Sequence, residues 1–458
     1  MIKRIAKYKN VVSLSIFYPE KYLLYILFVA VPFEGYVAFW VKNYPISIPF
    51  AISLLLFFLL FLKVLLLGKL YFDKILLSVL MLIFSAVISI FAPIIYELNF
   101  QEYLRSLAYA LYFPALFILA SQIRLNQKEL RRFLWFIIFI GIIISIIGIY
   151  QAIANNTSMG LPNLYFNLTS SITGYQRQYA FGTAGIYLRP TSIFAEPSWF
   201  GHYLVFIIFI SLLLYKKILY NHFIWLLIVV NILALILTLS FGCYLALIGA
   251  FLISYFLTFR SNFNLIFKIL FIFILICGVT FITFPELVNR LVPDFLERTK
   301  LDSSSLLEGF HNRELPSLSQ GSILIRFSSS WAGLLLCSYS PVTFLFGWGI
   351  GEFQTVVQNS YDWAGPAFCG TGWANILIEQ GIFGLIFYLV FFTTILLSIK
   401  CIRRKNIRNL EIFALLALLF FFIISGFTGG IGFERSMTFW CLIMIFNIIR
   451  HSLIYNFE

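Results

Sequence analysis

RPTSIFAEPSWFGHYLVFIIFISLLLY, residues 189–215, places an arginine, a glutamate and a histidine at the mouth of an unbroken apolar run. A bilayer hydrocarbon core of roughly 30 Å takes about 20 apolar residues per helical span, which the run from Pro197 to Tyr215 nearly supplies. Proline is favoured at the first helical position, so the stretch reads as a membrane helix that starts at Pro197. Over the 458 residues, 61% are hydrophobic, 11% are charged and 54 are Phe, more apolar surface than a water-soluble fold of this length can hide. The sequence therefore predicts an all-α polytopic integral membrane protein, a single membrane domain over 1–458 with about 12 transmembrane helices. They fall near 22–41, 46–68, 74–96, 103–122, 133–153, 197–215, 222–239, 243–259, 265–284, 373–398, 411–428 and 433–449.

Basic residues orient these spans. The opening MIKRIAKYKN leads into an apolar segment too long for a signal sequence, with no small-residue cleavage pattern, so 22–41 is kept as a first span and nothing is removed. With both termini cytoplasmic, most of the 32 Lys and Arg fall on the inner side, as the positive-inside rule requires. That bias accounts for most of the formal net charge of +13 and removes the need for a nucleic-acid partner. The 6 Cys and 4 His show no metal-ligand spacing, and no metal or cofactor is expected. Cys337 and Cys369 fall on the outer side and read as unpaired.

Two outer segments are far longer than the other turns: a first loop over 154–195 and a large loop over 285–372, between predicted spans 9 and 10. Loops this long in a compact protein are usually functional. The large loop opens on the polar PELVNRLVPDFLERTKLDSSSLLEGFHNRELPS, residues 285–317, and turns amphipathic in GSILIRFSSSWAGLLLCSYSPVTFLFGWGIGEF, residues 321–353. Its apolar part between Trp331 and Phe346 is too short and too broken by Ser and Pro to span, which predicts a short amphipathic helix on the outer leaflet and then a glycine-rich turn.

The charges of the opening stretch have two readings. Glu196 before Pro197 suits a helix cap; it also sits where the positive end of an outside-to-inside helix welcomes an anion, with Arg189 seven residues earlier to fork onto carboxylate or phosphate oxygens. Other outside-to-inside helices begin in the same way, with Glu102 and Arg105, with Asn375 and Glu379, and with Glu434 and Arg435. Charges inside a span cost about 2.5–3.5 kcal/mol each, so their common depth suggests a shared polar cavity; the plainer account pairs Glu434 with Arg435 and lets Arg105 snorkel. His202 reads either as a packing residue or as a base, and Glu34 as a further lining residue. Tyr187, Trp199, Tyr203, Trp331, Trp348, Tyr361, Trp363 and Trp373 fit sugar stacking or an interfacial aromatic belt.

RPTSIFAEPSWFGHYL (189–204), LTLSFGCYLALIGAF (237–251), and the late series IRFSSSWAG (325–333), PVTFLFGWGIGEF (341–353) and ANILIEQGIFGLIFYL (374–389) together resemble the O-antigen polymerase and O-antigen ligase superfamily. The likeness covers roughly 185–395. It implies a GT-C-like glycosyltransferase architecture in the bacterial inner membrane. The implied chemistry is metal-independent glycosyl transfer at the periplasmic face, with undecaprenyl-diphosphate-linked glycan as donor and acceptor, a chain-length regulator and a flippase as partners, and no cofactor. By motif, Arg189 and Arg326 correspond to the family's outer-loop arginines that engage the diphosphate. Ligases of the group usually carry a histidine just before the asparagine that precedes the next helix, whereas this chain reads GTGWANILIEQG at 370–381, so the likeness favours the polymerase. The expected catalytic set is Glu196, Arg189 and Arg326, with Glu379 and His202 as the next candidates for the base. Arg105, His202, Arg435, Asn375, Glu379, Trp199 and Tyr203 are expected to bind substrate. The alternatives are a ligase that transfers glycan to lipid A core and a flippase without chemistry.

Overall fold

The computed structural model describes residues 19–41, 44–67, 73–98, 100–162, 164, 187–194, 196–214, 221–259, 334–352, 356, 372–403, 409–428 and 437–455. In chain order these form α1 (Pro19–Ala30), a hairpin of β1 (Val37–Val41) and β2 (Tyr44–Ser47), α2 (Ile48–Leu67), α3 (Lys74–Ile88), α4 (Phe91–Ile95), α5 (Phe100–Ala120) and α6 (Gln127–Asn156). Then come α7 (Pro197–Leu214), α8 (Asn221–Leu237), α9 (Phe241–Thr258), α10 (Pro341–Phe346), α11 (Gly372–Arg403), α12 (Asn409–Thr428) and α13 (Met437–Tyr455). Among the described residues, 8 helices are long and apolar enough to cross a membrane, and shorter apolar helices cover Phe223–Leu237 and Met437–Leu453. The chain is thus a mainly helical, multi-pass membrane protein. The run at 265–284 and most of the large loop lie outside the described residues.

One expected span is corrected. The run 22–41 is not a single helix: α1 stops at Ala30, a 3-10 turn over Val31–Phe33 follows, and β1 pairs antiparallel with β2, Trp40 opposite Pro45. Pro32 supplies no N–H to continue the helix, and the aromatic and β-branched residues of VAFWV suit a strand. The run 74–96 divides at Ser89–Ile90 into α3 and α4.

Side-chain pairs fix which helix ends lie together. Lys21 Nζ meets Glu129 Oε1 at 2.7 Å, Lys63 pairs with Glu20, Arg450 Nη2 reaches Asp73 Oδ2 at 3.7 Å, and Leu125 N donates to Ser452 Oγ at 3.2 Å. These residues open α1, α3 and α6 and close α2 and α13, so successive helices run antiparallel with those termini at one end of the bundle, the basic end. Of the described Lys and Arg, only Arg105 and Arg189 belong to the opposite, loop end. There Glu34 accepts hydrogen bonds from Met437 N at 3.1 Å and from Thr438 Oγ1, which caps α13. A carboxylate at a helix N-terminus satisfies orphan N–H donors and the positive end of the dipole. Glu34 is therefore a link between the first and last helices. Glu34→Ala is expected to cost about 1–3 kcal/mol, the penalty of leaving Met437 N and Thr438 Oγ1 without their acceptor; thermal unfolding in detergent checks this, and an unchanged melting temperature contradicts it.

In lipid, apolar side chains gain nothing by leaving water, so helices associate by close fit. Nearly all of α7 is buried, between α6, α8, α9 and α12. Small residues of α6 make the fit: a Cβ at Gly141 would lie 2.7 Å from Ile207, and one at Gly148 would lie 2.5 Å from Phe200.

At the loop end α11 is broken at Gly381, whose φ is 66° and ψ −164°. The break deprives nearby carbonyls of helical partners, and the end of the large loop supplies them: Trp348 N donates to Ile378 O at 2.7 Å and Gly349 N to Glu379 O at 3.0 Å. The described part of the amphipathic stretch contains the short α10, whose Phe346 packs between Phe91 and Phe383, while Phe344, and Leu335 and Tyr339 ahead of the helix, stay exposed. The glycine-rich turn follows as expected, with positive φ at Gly347, Gly349 and Gly351.

Candidate functional site

The residues of the opening stretch form a strap, 187–194, that leads into α7. It is held from two sides. Helix α8 ends at a turn in which Leu239 has φ 47°, leaving its last carbonyls without intrahelical donors. Tyr187 OH donates to Leu237 O at 2.8 Å, Arg189 Nε to Thr238 O at 2.7 Å, and Tyr244 OH to Ile236 O at 2.5 Å. A cation at a helix C-terminus also meets the negative end of the dipole. On the other side the end of α6 grips the strap through Gln151 and Asn156, and Ser192 Oγ donates to Ile144 O at 2.8 Å. Ser192 adopts φ 53°, a conformation these bonds enforce.

Glu196 stands at the start of α7, half-buried, with its Oε2 accepting from Ser198 Oγ at 3.1 Å and its backbone oxygen from Phe200 N at 3.2 Å. The first turns of α7 and α9 meet here: His202 Nδ1 lies 2.7 Å from Ser198 O and 3.1 Å from Cys243 Sγ, and Ser240 Oγ is 3.0 Å from the same sulfur. The His202 ring packs 5.9 Å from Phe421 of α12. Two residues on, Ile423 O accepts Trp373 Nε1 at 2.9 Å, so the end of α12 brings the starts of α7 and α11 to one level. Asn375 lies in the first turn of α11, and its Oδ1 is buried with no hydrogen-bond partner.

Several expected site residues take other places. Tyr203 is fully buried, with its ring 5.6 Å from Phe28 and 5.2 Å from Phe194; a ring closed in on both sides offers no face to a sugar. Tyr187, Trp348 and Trp373 are likewise buried, and Trp199 is half-buried against the main core. His202 is fully buried, a position that suits hydrogen bonding between helices more than proton exchange with a substrate. Glu379 is buried beside the Gly381 break, where its neighbour Gln380 accepts Ser85 Oγ at 2.6 Å. Arg105 is exposed on α5, which packs against α2, α3 and α13. Glu34, read as a cavity-lining residue, is the cap of α13. Arg326, Arg435, Glu434, Trp331, Tyr361, Trp363 and Cys369 lie outside the described residues. Sequence reasoning passed over Gln151 and Asn156; the polar cluster in YQAIANN, closing an otherwise apolar span, is the signal that marks them.

Among the described residues, no group of three or more His, Cys, Asp or Glu could hold a metal ion. Cys337 is a buried, unpaired thiol whose Sγ donates to Leu377 O at 3.3 Å, and burial pushes it up to about 12. With so little thiolate at pH 7, maleimide labelling of Cys337 is expected to be at least ~10-fold slower in the native protein than after unfolding. Peptide mass spectrometry reads this directly, and equal rates would contradict the burial.

No protein-family model matches the chain, and no curated protein matches it.

Proposed function

We propose that the chain is a membrane glycosyltransferase that polymerises undecaprenyl-diphosphate-linked repeat units into O-antigen or a related surface polysaccharide. The observation that carries the reading is Arg189, fixed by Thr238 O on a strap that leads straight to Glu196 and the start of α7. A guanidinium held in place at the mouth of a membrane bundle suits an anionic, lipid-borne substrate. The gathering of described basic residues at the opposite end supports an inner-membrane topology with cytoplasmic termini and the loop end toward the periplasm.

In the reaction a sugar hydroxyl of one repeat unit attacks the anomeric carbon of another. The new C–O bond forms as the bond to the lipid diphosphate breaks, the diphosphate leaves as an anion against Arg189 and Arg326, and the hydroxyl proton passes to the Glu196 carboxylate. The leaving group is already good, so positioning and charge stabilisation carry the catalysis. Asn375, with an amide oxygen awaiting a donor, is placed to accept from a sugar hydroxyl. The interruption of α11 at Gly381 is also a transporter feature, and it keeps a flippase as the second reading.

Cells lacking the gene separate these readings. Loss of a polymerase leaves a single repeat on the final acceptor; loss of a ligase leaves long chains on the lipid carrier; loss of a flippase traps single lipid-linked repeats on the cytoplasmic face. The first outcome is expected, and either of the others overturns the assignment.

A further inference from the structure

Gln151 and Asn156 take no part in the chemistry above, yet they hold the chain on both sides of Arg189. Both lie in the closing turns of α6 and are buried, at 2% and 0% exposure. Asn156 pairs with Leu188 as a neighbouring strand would: Leu188 N donates to Oδ1 at 2.7 Å, Nδ2 donates to Leu188 O at 2.8 Å, and the second Nδ2 hydrogen goes to Ala152 O at 2.9 Å. Gln151 does the same beyond Pro190. Its Oε1 accepts Thr191 N at 3.2 Å and Ser192 N at 2.7 Å, and its Nε2 donates to Ser192 O at 2.9 Å and Leu164 O at 3.0 Å. A primary amide has two donor hydrogens and two acceptor lone pairs, and Gln151 uses all four.

Between the two clamps stand Arg189 and Pro190, the latter with its φ set by its ring. Backbone freedom at Arg189 is therefore removed from both sides, and the Nε bond to Thr238 O sets the plane of the guanidinium. We propose that Gln151 and Asn156 are positioning residues for Arg189, holding its guanidinium where the substrate diphosphate is received. This inference rests on the reading of Arg189 given under Proposed function.

The test uses the full-length protein in lipid nanodiscs with farnesyl diphosphate as the probe. Gln151→Glu keeps an acceptor for Thr191 N and Ser192 N but sets a carboxylate oxygen against Ser192 O and Leu164 O. Its affinity for the probe is expected to fall about 10-fold, while in an Arg189→Ala background the same change shifts affinity less than about 2-fold, because what it positions is gone. Equal losses in both backgrounds mean a general structural role and overturn the proposal. Hydrogen exchange of the ligand-free protein supplies a second readout: amides in 187–194 should exchange faster in Gln151→Glu, and unchanged protection overturns the clamp itself. Should Gln151→Glu fail to fold, Asn156→Asp, which keeps the acceptor for Leu188 N, makes the same comparisons. If Arg189→Ala alone leaves probe affinity unchanged, the diphosphate reading falls and takes the proposal with it, a result distinct from additive losses.

Discussion

Arg189→Ala is expected to lower chain elongation by about 10²–10³-fold, the usual cost of removing a fixed donor that meets charge growing in a transition state. The fold should survive. The hydrogen bond to Thr238 O has a net worth of about 0.5–1.5 kcal/mol, and Tyr187 and Tyr244 still cover the neighbouring carbonyls of α8. Arg189→Lys should fail nearly as badly. An ammonium is a point charge without the planar fork that lets one edge hold Thr238 O while another meets phosphate oxygens. Surface glycan length, compared at matched protein level, reads the effect; a full ladder from Arg189→Ala contradicts the role assigned to it.

Gly381→Ala is expected to remove most of the folded protein. At φ 66° and ψ −164° the residue lies where only glycine is at ease, which costs other residues about 1–3 kcal/mol. Space is lacking as well: a Cβ there would come within 2.4 Å of Leu345 C and O, and a Cβ at Gly347 within 2.3 Å of Glu379 C. Two backbones cross in contact, and overpacking of this kind adds about 1–3 kcal/mol. Gly160 is the control, because it also has a positive φ, 67°, but nothing within 4 Å of its Cβ position. Gly160→Ala should therefore lose only the conformational part, and size-exclusion profiles of the two variants should differ sharply. Equal profiles would mean that the crossing of α11 by the large loop carries no weight in folding.

The sequence made α7 plain, since a proline opens it and an apolar run of one span's length follows; the expected 197–215 and the observed Pro197–Leu214 nearly coincide. The division between the spans expected at 222–239 and 243–259 was also legible, and the structure has it at Thr238–Ser240, between α8 and α9. The first span was misread because a short apolar run looks alike as helix or as strand, and only Pro32 hinted at the division. Glu34 could not be assigned from sequence because its partners, Met437 and Thr438, lie at the far end of the chain. Burial separated the aromatic candidates: Tyr203 and Trp199 look equivalent as letters of the same motif, yet one is core and the other half-exposed. The charged residues were found by type, but which of them meet was set by tertiary packing. Arg189 and Glu196 share a strap and a helix start, whereas Arg105 belongs to a different group of helices.

The central claim is that this chain joins lipid-linked repeat units to one another. The most direct measurement gives the purified protein, in nanodiscs and with EDTA present, the lipid-linked repeat extracted from cells that lack the gene, and resolves the products by length. A ladder of lipid-linked chains, formed by the natural sequence and absent with Arg189→Ala, is the predicted result. A substrate recovered unextended, from protein that still binds it, would contradict the claim and leave transport across the bilayer as the activity to pursue.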